Sequence, residues 1–222
     1  MKVELISCSA YNGSLFGGSV KEPESLFIAI ARVSSNKPME ERGLNPEPLI
    51  KHCLVNGHWS VFEMVNICLY VETSLAVATQ MLRHKSFSFQ MFSQRYKERF
   101  NAEPVELRLA GASNRQGSLE EAFQDGEAEG LLKETVKKAF DAYRLLIERG
   151  VALECARFML PACTTTELFM NGSLRSYIHY LQQRLNKHSQ KEHRMVAAEV
   201  KKIVEKIFPI TFKILAELKY FS

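Results

Sequence analysis

Arg83-His84-Lys85-Ser86-Phe87-Ser88-Phe89-Gln90-Met91-Phe92-Ser93-Gln94-Arg95-Tyr96 is the stretch on which the reading of this chain turns. Its fourteen residues hold three cations, one imidazole, three serines, two amides and four aromatic rings. A solvent-facing surface gains nothing from the phenylalanines, and a core rejects the charges. Together they suit a pocket floor, because guanidinium forks grip phosphate while ring faces stack on planar ligands. A solvated basic turn beside a small aromatic core is the plainer alternative.

Working outward, Ser74 is placed to cap a helix over 75–84 that carries Arg83 to its C-terminal end. Residues 66–72 are apolar with β-branched members and read as a strand, as do residues 2–9. Leu26, Phe27, Ile30 and Val33 fall at helical spacing over 24–33, and a short helix over 49–56 closes at Gly57. Downstream, 101–130 holds four glycines and little periodicity, which predicts a mobile loop. Leu132, Val136, Phe140, Tyr143 and Ile147 then form one stripe of a helix over 131–149. Shorter helices are expected over 152–160, 173–186 and 189–207, with Pro209 as a break. Helices dominate and do not alternate with strands, so the expected class is α+β, a mostly helical single domain over 1–222 with a small sheet.

Bulk properties narrow the function. A chain of 222 residues that is 46% apolar and 24% charged fits an ordinary soluble domain. No apolar run approaches the ~20 residues needed to cross a bilayer, and the N-terminus has no long apolar stretch of a secretory signal. Cys8, Cys53, Cys68, Cys155 and Cys163 are scattered, with no C-x-x-C pair. That points to a reducing, cytoplasmic setting, without a disulfide framework or cysteine-built zinc site. A net charge of +4 is compatible with anionic nucleotides and too small to require nucleic acid.

The order of residues resembles the signature of the flavin-dependent thymidylate synthases, Arg-His-Arg, a spacer, then Ser-x-Arg. Arg83-His84-Lys85 stands at one end and Ser93-Gln94-Arg95 at the other. Lys85 replaces the usual third Arg, exchanging a bidentate fork for a point charge, and Met91 stands where many members carry Glu. Further blocks agree in the same order: Ala31-Arg32-Val33-Ser34, His58-Trp59-Ser60-Val61-Phe62-Glu63, Glu154-Cys155-Ala156-Arg157 through Leu160-Pro161, then Arg175, Gln183-Arg184, His188 and Gln190-Lys191-Glu192. Blocks in one order are far more specific than any single motif.

The resemblance implies a role for each matched residue. Gln80, Arg83, Ser93, Gln94, Arg95, Arg157 and Arg184 match positions that hold dUMP, with Arg184 polarising the uracil ring. Ser34, Ser60, Arg83, His84, Lys85, Arg175, His179 and His188 match positions near FAD, and His58 lies near the flavin and the proposed folate position. Ser93, Arg184 and His58 are the catalytic candidates, Ser93 as a group that binds and polarises the nucleotide. No base for a serine nucleophile is evident, and a flavin would supply the reducing power. The reaction implied is reductive methylation of dUMP to dTMP, with FAD as cofactor and NAD(P)H and methylenetetrahydrofolate as co-substrates. The resemblance also implies a homotetramer with shared active sites, and no metal, nucleic-acid or membrane partner.

From the residues alone, Arg157, Arg175 and Arg184 each read as a surface ion pair, as most helix arginines do. Arg175 and Arg184, nine positions apart or about two and a half turns, face different sides of their helix. Gln80 lies three and four residues before Arg83 and His84 on one helix, a spacing that gives them a shared face. No G-x-G-x-x-G or P-loop is present, and the string from His188 to His193 is one residue too long for an inverted zincin motif. Cys163 after Pro161-Ala162 has no neighbouring base and reads as a buried small hydrophobe. Two rivals remain open. One is a nucleic-acid-binding module using the basic aromatic segment; the other is a flavin- and nucleotide-binding relative without synthase activity.

Overall fold

The computed structural model describes residues 1–111 and 117–221. Four strands, β1 (Lys2–Cys8), β2 (Asn66–Ser74), β3 (Ser88–Met91) and β4 (Thr165–Ser173), form one antiparallel sheet in the order β1-β2-β4-β3. The two central strands pair over their full length, from Asn66 opposite Ser173 to Ser74 opposite Thr165. Period-two alternation explains the layering. Ile67, Leu69 and Val71 face Gly172, Met170 and Leu168 on the buried side, while Cys68, Tyr70 and Glu72 oppose Asn171, Phe169 and Glu167 on the other.

The helices are α1 (Pro23–Ala31), α2 (Glu47–Val55), α3 (Leu75–Met81), α4 (Gly126–Glu148), α5 (Leu153–Ala156), α6 (Leu174–Arg184), α7 (Lys191–Ile207) and α8 (Pro209–Glu217). The apolar faces of α1, α2, α3, α6, α7 and α8 build one core over the buried side of the sheet, with Phe27, Phe62, Tyr177, Tyr180, Val200 and Phe212 fully or almost fully buried. Phe140 and Tyr143 of α4 are buried outside that cluster. The α+β class is observed. Among the described residues, no helix is long and apolar enough to cross a membrane.

Two central strands each hand over to a helix through a serine. Ser74 Oγ accepts the Val77 N–H at 3.4 Å and starts α3, and Ser173 Oγ accepts the Ser176 N–H at 3.3 Å and starts α6. Because β2 and β4 are antiparallel, the two helices leave opposite ends of the sheet. The eight steps between the nine residues of β4, at about 3.4 Å each, separate those ends by roughly 27 Å.

Several boundaries differ from expectation. The helix expected to reach His84 ends at Met81, so Arg83 and His84 lie in a turn closed by the His84 N–H bonding to Met81 O at 3.0 Å. Strands β3, inside the signature stretch, and β4 are additions to the expected elements; each gains its ladder only from a distant partner. Of the expected mobile loop, 126–130 belongs to α4, because Asp125 caps the helix by accepting the Glu127 and Ala128 N–H groups. Residues 112–116 of that loop lie outside the described residues. The helix expected over 152–160 is one α turn followed by a 3-10 turn, Arg157–Met159. Pro209 breaks α7 as expected but opens a further helix, α8, as the first-turn proline it is suited to be.

Candidate active site

The turn after α3 delivers His84 into a buried aromatic layer. Its ring meets the Tyr180 ring edge-on, with centroids 5.1 Å apart, and His84 is only 9% exposed. Phe87 packs edge-on against Tyr177, and a side chain at Gly172 would place Cβ 2.5 Å from Phe87 Cδ1, so the glycine makes room for the ring. Arg184, at the last turn of α6, donates from Nε to His84 Nε2 at 2.8 Å. That bond requires a lone pair on Nε2, hence a neutral imidazole with its proton on Nδ1. Burial, followed by the Arg184 and His179 charges, pushes His84 down to about 4 and keeps it neutral. The two terminal nitrogens of Arg184 make no hydrogen bond to another described residue, so its fork is anchored at one corner and presents the other two.

Behind this layer lies His193, fully buried on α7. Its Nδ1 is 3.1 Å from Gln80 Oε1 and its Nε2 3.2 Å from the Tyr180 hydroxyl. Burial first, then the Arg184 and His84 charges, hold it down to about 3. Gln80 Nε2 donates in turn to Gln190 Oε1 at 2.5 Å. Sequence reasoning weighed His193 only against a zinc pattern and passed over Tyr180. The signal was available: His193 shares a helical face with Val196, Ala197, Val200 and Val204, which commits it to the core and to a hydrogen-bond partner there.

Next to the His84 turn opens a cavity of about 370 Å³ lined by Trp59, Glu63, Ser86, Arg175, Ser176, His179 and Tyr220. Arg175 donates to Glu63 Oε1 at 2.5 Å, and His179 Nε2 is 2.8 Å from Gln183 Nε2. Ser176 Oγ donates to Ser86 O at 3.0 Å and ties α6 to the signature stretch. Cation, imidazole, hydroxyls and two aromatic rings make a donor set for an anionic group beside a planar ring.

The other end of the signature lies elsewhere. After β3, Ser93 Oγ accepts the Arg95 N–H at 3.3 Å, and Arg95 pairs with Glu154 at 3.0 Å. Arg157 Nε donates to the Glu154 carbonyl at 3.3 Å. Ser93, Gln94, Arg95 and Arg157 therefore gather at the Thr165 end of β4, whereas Arg175, His179 and the cavity gather at its Ser173 end. Gln94 Nε2 is buried there without a hydrogen-bond partner. Among the described residues Ser93 Oγ meets only that N–H, so no base activates it. Met91 packs against the core from β3, filling space rather than facing either group.

Other expected site residues are not brought into these groups. His58 is exposed, with its ring 5.4 Å from His52. Ser60 and Ser34 are exposed on 3-10 turns. Arg83 and Lys85 are exposed, Arg83 close enough to Arg184 for their charges to repel. His188 is exposed in the turn before α7, where its N–H bonds to Asn186 Oδ1 at 2.9 Å. As the sequence spacing indicated, Arg175 and Arg184 serve different surroundings.

The two lowered histidines set a pH dependence. Their folded pKa values lie below the unfolded value near 6.5, so the unfolded chain takes up protons that the folded chain refuses. Stability is then complete above pH ~6.5 and falls as pH drops toward about 4 for His84 and about 3 for His193. Between pH 7 and 5, His193 alone is expected to cost about 2 kcal/mol. Urea unfolding of the wild type and His193→Asn at both pH values measures this. A variant that loses as much stability as the wild type would refute it.

The chain matches known proteins along most of its length. Residues 18–210 match the family described as thymidylate synthase complementing protein. The flavin-dependent thymidylate synthase of Synechocystis sp. is 42% identical over 197 residues, covering 86% of this chain and 89% of the relative. A probable flavin-dependent thymidylate synthase of Paramecium bursaria Chlorella virus 1 is 36% identical over 199 residues, covering 88% and 92%. In fold, the chain superimposes on the UMP/dUMP methylase PolB from Streptomyces cacaoi, solved with 5-Br dUMP, at a TM-score of 0.79 and 24% identity, covering 97% and 94%. With its signature split between the two ends of β4 and its match running through nearly every element, the chain belongs to the flavin-dependent thymidylate synthase family.

Proposed function

We propose that this protein converts dUMP to dTMP, using FAD, methylenetetrahydrofolate as one-carbon donor and NAD(P)H as reductant. The observation that carries the reading is the Arg184–His84 pair, a guanidinium fixed at Nε by a neutral imidazole with its fork presented outward. Such a fork suits a uracil carbonyl, whose oxygen gains negative charge when the ring is attacked. The fold neighbour solved with 5-Br dUMP supports the same ligand class.

The donor set in the 370 Å³ cavity fits part of a flavin dinucleotide. Arg175 would hold an anionic group, and Ser86, Ser176 and His179 would supply hydrogen bonds. Trp59 and Tyr220, in contact with each other at 5.8 Å between ring centroids, would form one wall beside a ring. FAD, when bound, supplies the reducing equivalents. Arg95 and Arg157, each held by Glu154, suit the nucleotide phosphate, and Ser93 adds a hydroxyl without acting as nucleophile. We assign His58, Ser34, Ser60, Lys85 and His188 to the periphery of the flavin and folate positions on resemblance alone.

Groups gathered at opposite ends of a nine-residue strand do not enclose one nucleotide. A homotetramer in which the Thr165 end of one copy meets the Ser173 end of another resolves this, and we propose that assembly.

The test is a visible spectrum of the protein after FAD loading and desalting, followed by dUMP titration. A retained flavin spectrum that shifts with dUMP is expected. Colourless protein indifferent to dUMP would overturn the reading, and salt-dependent binding to a polynucleotide would then favour the nucleic-acid alternative.

A further inference from the structure

Five hydrogen bonds link the buried core to the extended segment before α4. Tyr180, His193, Gln80, Gln190, Glu192 and Arg108 follow one another, with contacts of 3.2, 3.1, 2.5, 2.8 and 2.6 Å. The direction of this chain is forced from its outer end. Glu192 is held ionised: burial opposes its charge, but hydrogen bonds from Arg108, its own backbone and Gln190 outweigh that. A carboxylate only accepts, so Gln190 must turn its NH₂ toward Glu192 and its carbonyl toward Gln80. Gln80 must then offer its NH₂ to Gln190 and its carbonyl to His193. His193 must carry its proton on Nδ1, leaving Nε2 to accept the Tyr180 O–H.

Flipping either amide would set donor against donor and acceptor against acceptor. The Gln80–Gln190 and Gln190–Glu192 bonds are exposed, and it is the buried His193 at one end and the part-buried Glu192–Arg108 pair at the other that hold the direction. Arg108 is itself fixed, donating also to Glu106 Oε1 at 2.8 Å and Ser118 Oγ at 2.9 Å, with 7% of its side chain exposed.

We propose that His193 is a positioning residue for nucleotide recognition: with Gln190, Glu192 and Arg108 it fixes the orientation in which the Gln80 carboxamide meets the nucleotide. The inference rests on the proposed function together with the resemblance that matches Gln80 to a dUMP-holding position, and it adds residues that touch no substrate. Gln80 keeps one N–H and one carbonyl lone pair for a ligand, and the chain decides which side offers which. The neutral state of His193 down to about pH 3 keeps that arrangement constant at working pH.

The test compares FAD-loaded wild type, His193→Leu, His193→Asn and Gln190→Leu by calorimetric dUMP titration and steady-state kinetics. His193→Leu removes both contacts and is expected to raise the Kd and KM for dUMP by about tenfold, the scale of one hydrogen bond left unmade, with kcat changed less than about threefold. His193→Asn keeps an N–H near the Nδ1 position and should restore Kd to within about threefold. Gln190→Leu, at an exposed site, breaks the same chain without touching the core and should also weaken dUMP about tenfold if His193→Leu fails to fold. Wild-type dUMP affinity in either leucine variant, or a fall in kcat without a change in Kd, would overturn the inference alone. Wild-type protein that ignores dUMP would sink the synthase reading and this inference with it.

Discussion

Arg184→Lys is expected to lower kcat/KM for dUMP by at least about 100-fold, the scale of losing one preorganised donor to a developing oxyanion. Lysine keeps the charge, so a loss of that size would show that geometry, rather than attraction alone, is used. The Nε bond to His84 at 2.8 Å fixes the plane of the guanidinium, and α6 packing fixes its distance. An ammonium has neither a plane nor a second fork nitrogen, and its flexible stem gives up the anchor. Arg184→Ala carries an independent readout. Its charge is the second cause of the lowered His84 pKa, after burial, so removing it should move the imidazole titration upward. Steady-state kinetics with NMR titration of His84 measures both. Activity of Arg184→Lys within tenfold of wild type would remove Arg184 from the chemistry.

Glu24→Ala is expected to cost about 3 kcal/mol of stability, because it strands several donors at the start of α8. Glu24 is 4% exposed. Its Oε1 accepts the Thr211 N–H and Oγ–H, both at 2.7 Å, and its Oε2 accepts the Ile210 N–H at 3.1 Å. These are first-turn N–H groups with no partner inside their own helix, and Pro209 before them has none to satisfy. A carboxylate from α1 thus caps a helix 186 positions away. At roughly 2–4 °C per kcal/mol for a chain of this size, Tm should fall by about 6–12 °C. Glu24→Gln keeps one carbonyl for Thr211 but sets its NH₂ against the Ile210 N–H, so it should lose about half as much. Thermal unfolding of both variants is the check. A fall of under about 2 °C in Glu24→Ala would mean that α8 is held by its apolar face alone.

Much of the fold was legible because its signals are local. Ser74 as a cap, the apolar β-branched run of β2, the stripe on α4 and the stop at Pro209 each act within a few residues. What went unseen depends on partners far along the chain. Thr165–Ser173 became a central strand by pairing with β2 and β3, and Ser88–Met91 became an edge strand only because β4 was there to receive it. The helix after Ser74 stopped three residues short of His84, since the imidazole is drawn into the Tyr180 layer.

The site divides in the same way. By residue type and order alone, the chain determined its family, its wealth of guanidinium forks and the separation of Arg175 from Arg184, because helix geometry and side-chain chemistry are properties of short segments. Only the tertiary structure decided that Ser93 and Arg95 stand at one end of β4 and Arg175 at the other, that His84 is a neutral acceptor for Arg184, and that His193 closes a hydrogen-bond chain from Tyr180 to Arg108. Those outcomes rest on burial and on contacts between segments about 100 residues apart. Low dielectric and forced donor–acceptor direction arise there, and neither exists until the chain has folded.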